Sequence, residues 1–175
     1  MVTLYSIGHS DRGMATLLDL LREHGIRRLV DVRRIPRSRR HPHVNREDFA
    51  DSLADAGIGY RHSPALGGMR ERSPDSVNQG WSAPSFAAYA DHMQTADFDT
   101  ALRALLADAA DTTTAMMCAE ADPQQCHRWL IADAADARDC AVRHILGQGR
   151  TELHRPTWFA RVDDGRVSYP FALTG

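Results

Sequence analysis

The feature that most limits how this chain can fold is a regular alternation. Short runs rich in β-formers are followed by stretches whose apolar residues recur every three or four positions. Val2 to Ile7 alternates and reads as a strand. Met14, Leu17, Leu18 and Leu21 then fall on one face of an amphipathic helix, and Gly25 is placed to end it. Arg28 to Val32 reads as a second strand. Asn45 caps a helix that turns Phe49 and Leu53 inward and stops at Gly57, and Ile58 to His62 forms a third strand. Phe86, Tyr89, Ala90 and Met93 mark the next helix. Asp97 caps another, with Phe98, Leu102, Leu105, Leu106 and Ala109 on its face. A strand ending at Cys118, a helix starting near Gln124 and a strand from Ala141 to Leu146 complete the series. This order predicts an α/β fold: a mainly parallel, twisted sheet of about five strands with helices on both faces.

A chain of 175 residues is long enough to bury one substantial core, and residues 1–147 are read as a single α/β domain. Residues 148–175 differ. Trp158 to Val162 and Arg166 to Tyr169 flank an Asp-Gly turn and predict a C-terminal β-hairpin appendage. No apolar run approaches the roughly 20 residues of a membrane span, and the N-terminal MVTLYSIGHS lacks the pattern of a signal peptide. With three cysteines, an odd number, the expectation is reduced thiols in a cytoplasmic protein. The net charge of −2 excludes a polycation. All 21 basic residues are arginines, so any anion site here uses the guanidinium fork.

Parallel sheets bind ligands beyond the carboxyl ends of their strands. Those ends deliver Gly8-His9-Ser10, then Asp31 with Arg33 and Arg34, then His62, then Cys118 with Glu120. After Cys118 comes a polar loop in which Asp122 is a good N-cap and Pro123 suits a first helical turn. Cys126, His127 and Arg128 therefore belong to the opening turns of the next helix, where free N–H groups favour an anion and can favour a thiolate. A long irregular stretch, residues 63–84, has the composition of a functional loop.

Each candidate has a plain reading beside the functional one. Cys118 and Cys126, eight residues apart, are packed thiols, a reactive thiol, or ligands of a metal together with His127 or His9. Their spacing matches none of the usual paired zinc patterns. No metal or other cofactor is therefore expected, with zinc the lesser reading. Cys140 reads as core. Glu120 is a general base, or a carboxylate paired with Arg128; Asp31 is its partner in acid–base work, or an anchor for Arg33. His9 and His127 are proton shuttles. Arg33, Arg34, Arg37, Arg39 and Arg40 crowd the loop that follows the second strand, with Pro36 and Pro42 among them. Together with Ser10 and Arg128 they are read as phosphate ligands rather than a solvated surface. Trp81 and Trp129 read as packing.

These residues resemble a known family. YSIGHS, LVDVRRIPRSRRHPHVN, IGYRHSPALGG, FAAYADHM and above all MCAEADPQQCHRWLIAD are similar to the bacterial and archaeal family called domain of unknown function 488. The similarity covers about residues 2 to 146. It implies an α/β fold and a site shared by the family; it implies no reaction.

The function expected from these readings is that of an enzyme acting on a phosphate-bearing substrate, a nucleotide or nucleic acid. The chemistry expected is hydrolytic or base-processing, such as glycosidic-bond cleavage in DNA repair. His9, Asp31, Cys118, Glu120, Cys126 and His127 would be catalytic. One alternative is a cysteine-dependent transferase or phosphatase-like enzyme, although Cys118 to Arg128 is a long loop for a tight anion cradle. Another is a non-catalytic module that binds nucleic acid through the arginines alone.

Overall fold

In a computed structural model, which describes residues 1–171, the alternation becomes a six-stranded sheet. The strands are β1 (Val2–Gly8), β2 (Arg28–Asp31), β3 (Gly59–His62), β4 (Thr114–Cys118), β5 (Cys140–Gly147) and β6 (Arg150–Leu153). Their order is β3-β2-β4-β1-β5-β6. The first five run parallel, and β6 folds back antiparallel on β5. The helices are α1 (Met14–Glu23), α2 (Arg46–Asp55), α3 (Pro84–His92), α4 (Ala96–Asp111) and α5 (Arg128–Asp136).

Two apolar cores lie on opposite faces of the sheet. One joins Leu17, Leu20 and Leu21 of α1 to Phe49 and Leu53 of α2, against Ile7, Leu29 and Met117. The other joins Tyr89, Phe98, Leu102, Leu105, Leu130 and Ile131 of α3, α4 and α5 to Leu4, Val30, Met116 and Val142. Connections toward the β3 edge thus cross one face and connections toward the β6 edge cross the other, as a single crossover hand requires.

α1 and α2 end in the same way, for a reason visible in the chain. Gly25 (φ +67°) and Gly57 (φ +77°) take the left-handed conformation. The next residues, Ile26 and Ile58, return their N–H to Leu21 and Leu53 and bury their side chains. Other caps differ from expectation. Thr95, not Asp97, caps α4, its Oγ1 accepting the Phe98 N–H at 3.2 Å. Asn45 precedes α2 but turns its amide oxygen to Ser38 N at 2.7 Å, bracing the arginine-rich loop instead.

The tail does not stand off as an appendage. β6 continues the main sheet, and the hairpin β7 (Arg161–Asp163) and β8 (Arg166–Ser168) leads Val167 and Tyr169 into the α3–α5 core. The long loop 63–84 is likewise folded down. Asp91 on α3 accepts from Ser73 N, Ser76 Oγ and Asn78 Nδ2, and Trp81 packs edge-on against Phe86, Phe159 and Tyr169.

Gly8 fixes where the β4 chain goes after leaving the sheet. A Cβ at this position would overlap the carbonyl of Glu120, whereas one at Gly13 would meet nothing. Gly8→Ala is therefore expected to cost about 1–3 kcal/mol in urea denaturation, as overpacking against backbone does, with Gly13→Ala, which changes only the residue capping α1, costing less than about 1 kcal/mol. Equal stability of the two variants would contradict the placement of residues 119–121.

Candidate functional site

β4 is buried along its whole length, so its polar chemistry begins where it ends, at Cys118. The β1–β4 ladder continues one step into the loops: His9 N–H donates to Cys118 O at 2.9 Å and Ser10 N–H to Ala119 O at 2.8 Å. From this pair of strand ends one loop turns to α1 on one face and the other to α5 on the opposite face. The crevice between diverging loops is where parallel sheets place ligands.

Beyond Glu120, Asp122 Oδ1 accepts Gln124 N–H at 2.9 Å and Pro123 opens a short 3-10 turn (Pro123–Gln125). Cys126 is extended (φ −132°, ψ 147°), so α5 starts at Arg128, not near Gln124. Cys126 and His127 precede the helix; they do not sit within its first turns. The bend returns Cys126 to Cys118, and the two sulfurs lie within bonding distance of each other.

Arg128 is the largest fully buried side chain, and it reaches back beneath this loop. Its Nε–H donates to Cys118 Sγ (3.1 Å), Nη1 to Ser6 Oγ (2.6 Å) and Nη2 to the Glu120 carbonyl (2.6 Å). Burial lowers its pKa to about 10, so it stays charged at neutral pH. No carboxylate forms an ion pair with it among the described residues. The pairing of Arg128 with the Glu120 carboxylate is thus replaced by one with its backbone oxygen, and the Glu120 side chain is exposed.

His127 is oriented by the chain as well. Its Nε2 lies 3.0 Å from Val32 O, and Nδ1 lies 3.8 Å from Cys126 Sγ. A carbonyl can only accept, so Nε2 carries the proton and Nδ1 presents its lone pair. Burial lowers the His127 pKa to about 4, with the nearby guanidinium of Arg128 acting in the same sense. Gly68 approaches this ring closely; a Cβ there would lie 3.3 Å from Nδ1.

These groups floor a cleft of about 460 Å³ lined by His9, Arg33, Arg34, Arg37, Tyr89, Cys118, Glu120, Cys126 and His127, among others. His9 is nearly buried, and its pKa is lowered by that burial. Asp31 is fully buried and turned away from the cleft. It takes Arg33 Nε (2.9 Å) and Nη2 (2.7 Å), and the Tyr60 hydroxyl at 2.6 Å. Of its two readings, geometry supports the anchor for Arg33, not the general base. Arg33 Nη1 is buried with no acceptor among the described residues. Arg34 and Arg37 are exposed on the rim; Arg39 and Arg40 are exposed but do not line the cleft. Ser10 also stays outside it, near Asp11. His62 supports the rim by bonding Arg33 O at 2.7 Å. Cys140 lies in the core, its thiol pushed up to about 11 by burial.

The sequence reading missed a polar chain behind the floor. Ser6 Oγ meets His144 Nδ1 (2.8 Å), His144 Nε2 meets His154 Nδ1 (3.0 Å), and His154 Nε2 meets Asp133 Oδ1 (2.8 Å). Asp133 also accepts from the Thr157 and Tyr169 hydroxyls. Each bond of the chain is satisfied when its donor points from Arg128 toward Asp133, so that His144 accepts at Nδ1. Trp129 stacks on His144 and bonds Thr157, so it packs as expected. A trace of this network was visible: Asp133 is an acid inside the apolar run WLIADAA.

The family described as "Domain of unknown function DUF488" fits residues 13–135, from just before α1 almost to the end of α5. No curated protein and no solved structure matches the chain.

The buried His144 makes stability depend on pH. Burial, aided by His154 and Arg128, lowers the His144 pKa from 6.5 to about 3. As pH falls below 6.5 the unfolded chain takes up a proton that the folded ring refuses, so stability is lost between pH 6.5 and about 3. His144→Gln is expected to remove up to one proton from this dependence, approaching about 1.4 kcal/mol per pH unit, in urea titrations between about pH 5.5 and 4. Parallel curves for the two proteins would show that His144 titrates normally.

Proposed function

This chain belongs to the DUF488 family, and we propose that it is an enzyme that binds a phosphate-bearing substrate in the β1–β4 cleft and cleaves it with water. The observation that carries this reading is shared geometry. Three arginines line the same cleft as two cysteines, two histidines and Glu120. Arg33 is locked by Asp31 with one amino group left over, and Arg34 and Arg37 stand at the rim. Planar guanidinium donors fixed in this way suit phosphate oxygens.

The cleft's size narrows the substrate. About 460 Å³ holds a nucleotide-sized molecule. A mononucleotide fits this reading, and so does a single nucleotide extruded from a strand. Phe86, half-buried at the cleft, offers ring surface to a base. In this reading His9 bonds the Ser10 carbonyl through Nδ1–H, so its Nε2 takes a proton from water and hands it to the leaving group, while Glu120 of the same cleft orients that water. The water's hydroxyl ends on one fragment and its proton on the other.

A second reading, thiol-dependent transfer at Cys118, is favoured by one contact: the Arg128 Nε–H on Cys118 Sγ, which stabilises a thiolate.

Titration calorimetry with a nucleoside monophosphate, and with the nucleoside lacking phosphate, tests the proposal at low and high salt. Arg34→Ala and Arg37→Ala are each expected to weaken the monophosphate about tenfold, the loss of one charge-assisted contact. Arg39→Ala and Arg40→Ala should bind it as the parent does. Equal affinity for nucleoside and nucleotide, or no binding of either at low salt, would overturn it.

A further inference from the structure

We infer that Cys118, Cys126 and His127 form a binding site for a single zinc ion whose fourth position opens into the cleft. The site stands on its own observations and does not require the substrate to carry a phosphate.

Sγ of Cys118, Sγ of Cys126 and a ring nitrogen of His127 lie within 4.8 Å of one another. Two thiolates and an imidazole are a donor set that suits zinc and leaves a tetrahedral ion one open position. The surroundings treat each donor as a ligand. Cys118 Sγ receives the Arg128 Nε–H, and Cys126 Sγ receives the Arg128 backbone N–H at 3.4 Å. The Val32 carbonyl takes Nε2–H of His127 and so turns the Nδ1 lone pair toward the sulfurs. Hydrogen bonds to the outer side of every ligand are what metal centres use to fix ligand geometry and tautomer.

The backbone favours a metal over a disulfide. The Cα atoms of Cys118 and Cys126 are 7.6 Å apart. Ordinary disulfides span about 4.4 to 6.8 Å between Cα atoms, whereas two thiolates meeting at a shared ion need no such closeness. Charge agrees: a buried guanidinium with no carboxylate paired to it among the described residues sits directly behind the sulfurs. The open side is kept clear, since Gly68 beside Nδ1 carries no side chain. A zinc ion here acidifies a bound water, and Glu120 shares the cleft into which that position opens.

The test is metal content of the full chain, purified under reducing conditions without chelator, followed by cobalt titration of the metal-free chain. The inference expects close to one zinc per chain and a sulfur-to-cobalt charge-transfer band that zinc abolishes. Cys118→Ser and Cys126→Ser should each weaken zinc by at least about 100-fold, since losing a ligand costs more than the 10–100-fold of an outer partner. Cys140→Ala should keep the metal. Should either serine variant fail to fold, thiol counting on the parent still decides: zinc should shield two thiols from a disulfide reagent. Failure of the metal-free chain to bind zinc or cobalt, or zinc retained by both serine variants, would overturn the inference. A chain that lacks zinc but still binds nucleotide through Arg34 would leave the phosphate reading intact and point to Cys118 as a bare thiolate.

Discussion

The burial of Arg128 is the constraint on which the rest of this molecule depends. A guanidinium removed from water must find acceptors for its N–H groups and some answer to its charge. Here the acceptors come from three segments: Cys118 at the end of β4, Ser6 inside β1 and the Glu120 carbonyl in the loop between β4 and α5. The charge meets the Cys118 sulfur, which accepts its Nε–H, on one side. On the other it is answered through a chain of aligned hydrogen bonds ending at Asp133, which also holds Thr157 and Tyr169 from the tail. One side chain thus ties the cleft floor to the sheet interior and to the C-terminal segment. The residues after Gly147 become part of the core for this reason as well as for the burial of Val167 and Tyr169.

The sheet order explains why so many reactive groups share one hollow. β1 and β4 are neighbours, but their following loops leave to opposite faces, and Gly8 lets the backbone of residues 119–121 lie against β1. β2 on the far side of β4 contributes Asp31, which spends its carboxylate on Arg33 and Tyr60. The result is a rim of guanidiniums above a floor of sulfur and imidazole. Neither the rim nor the floor involves the outer arginines 39 and 40.

Much of this was legible in the sequence. Strand–helix alternation located the five parallel strands, and the glycines after α1 and α2 marked their ends, because periodicity and left-handed caps are local properties. The strand-end argument brought His9, Asp31, Cys118 and Glu120 to one edge without any knowledge of contacts. What a linear reading missed was relational. The start of α5 depends on Cys126 staying extended to reach Cys118. Asp31 faces Arg33 and not the cleft because Tyr60 closes over it from β3. The network from Ser6 to Asp133 joins residues more than a hundred positions apart, and no local pattern encodes it. Asn45, a good capping residue by type, instead braces the arginine loop at Ser38.

The central claim is that the rim arginines and the Cys118–His127 floor serve one bound molecule. A crystal structure with a nucleoside monophosphate soaked in tests it most directly. The account predicts the phosphate between the guanidiniums of Arg34 and Arg37, with the remainder of the nucleotide lying over Cys118, Cys126 and His127. A nucleotide held instead by Arg39 and Arg40 on the outer surface, with nothing over the sulfurs, would contradict it.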